Sequence, residues 1–473
     1  MHPNRQKLLE GPIGKSLWIL SVPIILSNIL QSGYQLTDAF WVGRIGSAAI
    51  AAVSVSMPIM FLSMAIGFGL AIAGSTLIAQ YFGAKNQKMV DHVAAQTLLM
   101  IVAVSVVLGA IGFFLTPAIL HAMNVAPDVY QSALGFMRVS FIGFIFNFFF
   151  FMFQSVLRGV GETKLPLYIV FGTVLLNFAL DPLFIYGWGP IPAMGVMGAA
   201  IATLGTQSIA AFIGLRVLLK GRHGIHLSIS DFKPDPVFIK RSFFLGLPAS
   251  IEQSARALGM TVMTFLITSF GTLTVAAYGV GSNLLMVVII PALGLSIAIA
   301  TLVGQNIGAG NKERAAMIGR YGSWVSFWAL TLLGLIAFIF ARHLITFFVP
   351  NDPAVIAEGT RFLRIMAFSW GSIGVQMALL GVLRAAGNMM VPMMLSIIAQ
   401  WVVQIPLALI LARHTSLGIN GLWWSFTIGN IVMLIVTMIV YSRSNWKERK
   451  LTQNEKEVEK ATEEILIEEG VRS

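Results

Sequence analysis

This sequence predicts an all-α polytopic membrane protein, with twelve transmembrane helices arranged as two pseudo-symmetric six-helix bundles. Three observations carry the prediction. Apolar residues come in repeated runs of about 20, the length that crosses a hydrocarbon core of about 30 Å. Runs such as Leu98 to Phe114 and Ile431 to Tyr441 lack the apolar/polar alternation of a barrel, so the backbone must satisfy itself as helices. The second half of the chain also repeats the first. Composition agrees: 57% of residues are hydrophobic and 11% charged, where a soluble domain carries about 25% charged.

Apolar windows and breakers place the spans at 17–42, 50–80, 93–116, 132–156, 165–187, 195–219, 243–269, 276–304, 321–346, 360–382, 391–412 and 418–442. Residues 1–16 read as a polar, basic N-terminus with no cleavable signal. Spans one to six make a first lobe over 17–220, residues 221–242 a linker with Pro234 and Pro236, and spans seven to twelve a second lobe over 243–442. Residues 443–473 form a charged cytoplasmic tail; the stretch after Trp446, dense in Lys and Glu, reads as a solvated helix or a disordered end, and truncation there is expected to be tolerated.

Lys and Arg sort by alternate loops. One side holds Lys15, Lys85 and Lys88, Arg158 and Lys164, Arg216 through Arg241, Lys312, Arg314 and Arg320, Arg384 and the tail; the other holds little beyond Arg44, Arg342, Arg361, Arg364 and Arg413. The positive-inside rule makes the rich side cytoplasmic, with both termini inside and the protein multi-pass in the cell (inner) membrane. Most of the net charge of +11 is therefore topology, and no nucleic-acid partner is expected. The chain has no cysteine, which excludes disulfides and thiolate metal sites, and its seven histidines form no HExxH-like pair.

The repeat is displaced by about 225 residues. Thr76-Leu-Ile-Ala-Gln-Tyr-Phe-Gly-Ala-Lys-Asn86 matches Thr301-Leu-Val-Gly-Gln-Asn-Ile-Gly-Ala-Gly-Asn311, and Val156-Leu-Arg-Gly-Val-Gly161 matches Val382-Leu-Arg-Ala-Ala-Gly387. Pro23 pairs with Pro248 and Pro166 with Pro392. Six spans is an even number, so the copies are parallel repeats about an axis along the membrane normal, with a cleft between them that rocking would expose to either side. The polar groups are not copied with the helices. At the common offset Asp38 falls opposite Met263, and Asp181 near Ile405.

Those two carboxylates are the candidate site. A carboxylate at membrane depth costs roughly 3 kcal/mol even on lenient insertion scales, so it faces a partner, an ion or water rather than lipid. Asn177 lies one helical turn before Asp181, on the same face. Pro182 removes a backbone donor and frees a carbonyl one turn earlier. Carboxylate, amide and carbonyl oxygens suit Na⁺, and the same carboxylates can instead carry a proton; Thr37, Thr203 and Thr206 are available hydroxyls. Gln31, Tyr34, Gln154, Gln376, Gln400 and Gln404 are polar groups available to line the cleft or to join helices. Met57, Met60, Met64, Met260 and Met263 fit a soft, promiscuous pocket, and equally ordinary membrane filling. Glu252 and Arg256, spaced i,i+4, read as a self-neutralising structural pair. Pro23 is a plausible kink in the first span.

Gln31-Ser-Gly-Tyr-Gln-Leu-Thr-Asp38 followed by Trp41-Val-Gly, the Gly-Ala-x-Asn elements and Val-Leu-Arg-Gly, set in a twelve-span duplication, resemble the multidrug and toxic compound extrusion (MATE) family over residues 10–445. Asp38 matches that family's first-helix acid. Asn177 and Asp181 in Asn-x-x-x-Asp-Pro, with Thr203, look like the DinF-like branch, where the resemblance implies a coupling Na⁺ or H⁺ held by these four residues. Gln31 and Tyr34 correspond to polar groups near the same cavity. The tenth span, Phe362 to Leu383, carries no acid, unlike the NorM-like branch.

The resemblance implies a monomeric secondary transporter, not an enzyme, with no cofactor beyond the coupling ion. Its partners would be the bilayer and small organic substrates, cationic or amphipathic, exported by antiport. The alternative weighed is a lipid-linked precursor flippase of the same superfold.

Overall fold

Long apolar stretches broken only by short polar turns fold here as the sequence physics requires, into membrane-length helices. The computed structural model describes residues 8–221 and 223–452. The first bundle is α1 (Ile13–Gly43), α2 (Ser47–Gly83), α3 (Gln87–Ala122), α4 (Pro127–Gly159), α5 (Lys164–Tyr186) and α6 (Gly195–Leu219). The second is α7 (Pro236–Thr268), α8 (Thr272–Gly308), α9 (Lys312–Phe348), α10 (Pro353–Ala367), α11 (Trp370–Ala385), α12 (Met390–Ile397), α13 (Ile405–Arg413) and α14 (Ile419–Arg443).

Among the described residues ten segments are long and apolar enough to cross a membrane, and eleven when the bent pair α10–α11 is taken as one. The twelfth is α7, 33 residues long, whose hydropathy is lowered by Lys240, Arg241, Glu252 and Arg256. Two spans are less regular than expected. The tenth bends by 48° between Ala367 and Trp370, where the Ser369 hydroxyl donates to the Met366 carbonyl at 2.9 Å. The eleventh joins α12 to α13 through a wide π-type turn, Ile398–Gln404. Pro406 comes two positions after Gln404 and has no N–H to offer the carbonyl one turn earlier.

Helix starts follow from capping side chains. The Asn86 side chain accepts from Met89 N–H at 3.1 Å and begins α3. Asp235 accepts from Phe238 N–H at 3.0 Å, and with Pro236 in the first turn it starts α7 earlier than residue 243. The segment between the bundles is pinned: the Gln96 amide donates to the Asp231 and Lys233 carbonyls at 3.0 and 2.8 Å and accepts from Asp235 N–H at 2.9 Å.

The bundles meet at the end where α1 begins and α14 finishes. Gly83 of α2 lies against the Gln305 carbonyl and Gly308 of α8 against the Gln80 carbonyl, a reciprocal close approach that any side chain would obstruct. Gln80 donates to the Ala385 carbonyl at 2.7 Å and its repeat partner Gln305 to the Gly159 carbonyl at 2.9 Å. Each glutamine thus caps a helix end of the opposite bundle. The start of the tail packs against the same place. Trp446 is buried and stacks on Tyr441, Leu451 N–H donates to the Gln80 side chain at 2.9 Å, and Arg241 holds the Leu451 carbonyl at 2.9 Å. An aromatic and a leucine had a surface to bury against. The rest of the acidic tail, from residue 453, lies outside the described residues, as do residues 1–7.

Candidate functional site in the first bundle

Asp38 sits near the end of α1, a helix whose polar side chains turn back on their own carbonyls. Ser27 donates to Pro23 at 2.8 Å, Ser32 to Asn28 at 3.2 Å and Thr37 to Gly33 at 3.0 Å. Such local bonds satisfy hydroxyls at membrane depth without a second helix. Asp38 makes no such bond. It lies against α5 and α6, close to Asp181 and Asn177, and accepts from the Thr203 hydroxyl at 3.4 Å. Asn177 and Asp181 are fully buried. Being one turn apart on α5, they join directly, Asn177 Nδ2 donating to Asp181 Oδ1 at 3.0 Å.

Three oxygens in this cluster are buried without any donor: Asp38 Oδ1, Asn177 Oδ1 and Asp181 Oδ2. No Lys or Arg among the described residues pairs with either carboxylate. Buried polar atoms are otherwise nearly always satisfied, and two adjacent carboxylates repel unless something positive lies between them. A set made only of hard oxygens fits a small hard cation such as Na⁺, or a proton shared by the two acids. Asp38, Asn177, Asp181 and Thr203 supply the ligands for the first case and the acids alone the second.

Asp38 also lines a cavity of about 240 Å³ enclosed by α1, α2, α4, α5 and α6. Gln31, Tyr34, Met57, Met60 and Met64 all lie on its wall. Gln31 donates to Gln154 at 3.4 Å, and Tyr34 shares a short hydrogen bond with Thr206. Asp181 and Asn177 do not reach the wall, so Asp38 is the acid that belongs to both cluster and cavity.

The wall opposite the methionines comes from α4: Phe136, Phe144, Phe150 and Phe151, with Asn147 between them. Sequence reasoning did not single these out. The only available signal was the phenylalanine-rich fourth span, in which Phe141, Phe148 and Phe153 pack into the core without reaching the cavity while Phe144 and Phe150 belong to both. Gln376, Gln400 and Gln404 do not line this cavity. Met263 is buried in a second-bundle core with Phe362 and Trp423, and Met260 is exposed. The expected Glu252–Arg256 pair is a larger cluster. Glu252 Oε1 accepts from Arg384 at 2.6 Å, from Ser396 at 2.9 Å and from Arg256 at 3.2 Å.

The MatE family model matches residues 23–183 and again 248–410, one match in each bundle, starting at the repeat partners Pro23 and Pro248. The chain belongs to the MatE family. Among its relatives, the probable multidrug resistance protein YoeA of Bacillus subtilis (strain 168) is 31% identical over 453 residues, covering 95% of this chain and 97% of its own. A MATE crystal structure in complex with MaL6 has a TM-score of 0.88 at 25% identity, covering 93% of this chain and 98% of that one. An outward-facing multidrug resistance MATE transporter of the MOP superfamily has a TM-score of 0.86 at 25% identity, with coverage of 92% and 96%. This MatE chain is therefore a multi-pass membrane protein of a transporter family, and the twelve-helix duplication is the family's fold.

Proposed function

We propose that this MatE protein is a secondary active multidrug efflux transporter that exports organic cations or amphipathic compounds by antiport with Na⁺ or H⁺. One observation carries the reading: two neighbouring carboxylates with no Lys or Arg partner, Asp38 and Asp181, each keep one buried oxygen without a donor, and Asp38 also lines the wall of a Met- and Phe-lined cavity. The names of the multidrug relatives support the cargo class.

The mechanism follows from that sharing. An organic cation in the cavity and a coupling ion in the cluster both use the negative charge of Asp38, so each weakens the other's hold. A ligand shifts a two-state equilibrium only by its differential affinity. Ion entry at Asp38, Asn177, Asp181 and Thr203 therefore favours cargo release. Inward ion movement drives the cycle with about 2.3 kcal/mol per charge per 100 mV. The lobes 17–220 and 243–442 are the units that rock, joined by 221–242.

Positive-inside loops put both termini in the cytoplasm, with the protein in the inner membrane. The reciprocal Gln80 and Gln305 clasp then closes the cytoplasmic side, leaving the cavity to open outward. The coupling ion is the only non-cargo ligand the mechanism needs, and one chain carries the whole cycle.

The test is efflux of a fluorescent organic cation from proteoliposomes under separately imposed Na⁺ and pH gradients. Wild type should respond to one gradient and thereby identify its ion. Transport indifferent to both gradients would sink the antiport reading.

A further inference from the structure

A second polar cavity, of about 80 Å³, lies between the bundles near their sealed end and has no part in the proposed coupling. Three guanidinium groups line it: Arg158 from α4, Arg256 from α7 and Arg384 from α11, with Gln253, Ser155 and Thr301 beside them. Arg158 and Arg384 are repeat partners, each in the last turn of its helix. An arginine there would ordinarily serve the terminal carbonyls. Here Gln305 takes the Gly159 carbonyl and Gln80 the Ala385 carbonyl, which leaves both arginines for something else.

The two copies then diverge. Arg384 is held by the buried Glu252, which also holds Arg256. At the repeat offset the position of Glu252 is Ser27, whose hydroxyl is spent on the Pro23 carbonyl. No acid among the described residues pairs with Arg158. Arg384 Nε is also buried without an acceptor. Three cations thus face one anion across a small cavity, and cations this poorly compensated are costly away from water.

We propose that this interlobe cavity is a binding site for a phosphate-type oxyanion. Guanidinium donors match the planar spread of phosphate oxygens, and Ser155, Thr301 and Gln253 add neutral donors. Arg158 comes from the first bundle, and Arg256 and Arg384 from the second, so a bound anion ties the bundles together in this sealed arrangement. The phosphate could be free in solution or the headgroup of an anionic phospholipid, and both present the same chemistry.

The experiment uses the full chain and reads binding without transport, so its outcome is independent of the coupling reading. Thermal unfolding is followed in phosphate-free neutral detergent, with inorganic phosphate against chloride at equal ionic strength. It is repeated in phosphatidylcholine nanodiscs with and without phosphatidylglycerol. In wild type the midpoint should rise by at least about 2 °C with one of the two probes. The rise should vanish in Arg158→Gln and be partly kept in Arg158→Lys. A rise with phosphate identifies the free ion, and a rise only with phosphatidylglycerol the headgroup. Equilibrium dialysis of radiolabelled phosphate against wild type makes the phosphate arm independent of how the variants fold. No rise and no saturable binding with either probe, or an undiminished rise in Arg158→Gln, overturns the proposal.

Discussion

The two bundles are copies in backbone and opposites in charge. In the first, Asp38 and Asp181 lie side by side with no cation, and three oxygens of their cluster lack donors. In the second, Glu252 is as buried as Asp181 but holds two arginines and a serine. Burial alone does not distinguish Asp181 from Glu252. Neutralisation does. A buried acid surrounded by its own counter-charges has nothing left to bind. One that lacks them is open to a cation, the role proposed above for Asp38 and Asp181.

The largest effect that would break this comparison lies in the first bundle. Asp38→Asn and Asp181→Asn should each lower gradient-driven efflux by at least about 100-fold, the scale of removing one ligand of a small ion site. Neither should lower the unfolding midpoint, because each relieves a like-charge contact. Efflux and melting are measured on the same preparations. A variant that transports normally, or one that loses its fold along with its transport, would place these acids in the same class as Glu252.

Glu252→Gln is the converse. It strands Arg256 and Arg384 in the protein interior, and breaking a buried charge cluster of this kind costs about 3 kcal/mol. Its melting midpoint should drop by several degrees while ion-dependent efflux, per folded molecule, keeps its gradient preference. If Glu252→Gln instead changed which gradient drives efflux, a second ion site would have to be placed in the second bundle.

How much of this was legible beforehand differs between the same two regions. A single Asp in an apolar run is conspicuous, and α-helical spacing alone puts Asn177 on the face of Asp181. The first-bundle cluster could therefore be assembled on paper. The Arg384 partner of Glu252 lies 132 positions away and comes from a different helix, so no local pattern announces it. The aromatic wall was hidden for another reason. Phe144 and Phe150 reach the cavity as well as the core, and Phe148 and Phe153 the core alone, yet all belong to one phenylalanine-rich stretch of a single helix. Composition also averages over the start of the tail, where Trp446 is buried and Leu451 N–H meets the Gln80 side chain. The bend between α10 and α11 carries no proline to mark it.

A smaller effect tests the seam between the bundles. Gly308→Val puts a branched side chain against the Gln80 carbonyl and should favour separation at the sealed end. The chain has no cysteine, so Lys88→Cys and Glu313→Cys can carry a spin-label pair across that seam without a background. The label distance should lengthen in Gly308→Val, and the same substitution at Gly83 should act alike because the contact is reciprocal. An unchanged distance would mean that the close approach is not what holds this end shut.

The smallest effect separates the two bundles through residues of one type. Met57 lines the cavity with Asp38, while Met263, the repeat counterpart of Asp38, packs against core groups. Met57→Ala removes a flexible thioether from a pocket wall. It should alter apparent affinity by a few-fold, more for bulky aromatic cations than for small ones, and leave melting nearly unchanged. Met263→Ala leaves a hole among side chains that cannot follow it, which costs about 2–5 kcal/mol, and it should leave the cargo profile as it is. Substrate-dependent quenching measured beside melting distinguishes the two. If Met263→Ala changed the cargo profile and Met57→Ala did not, the cargo would have to contact the second bundle, and the competition at Asp38 would act through lobe movement rather than at a shared charge.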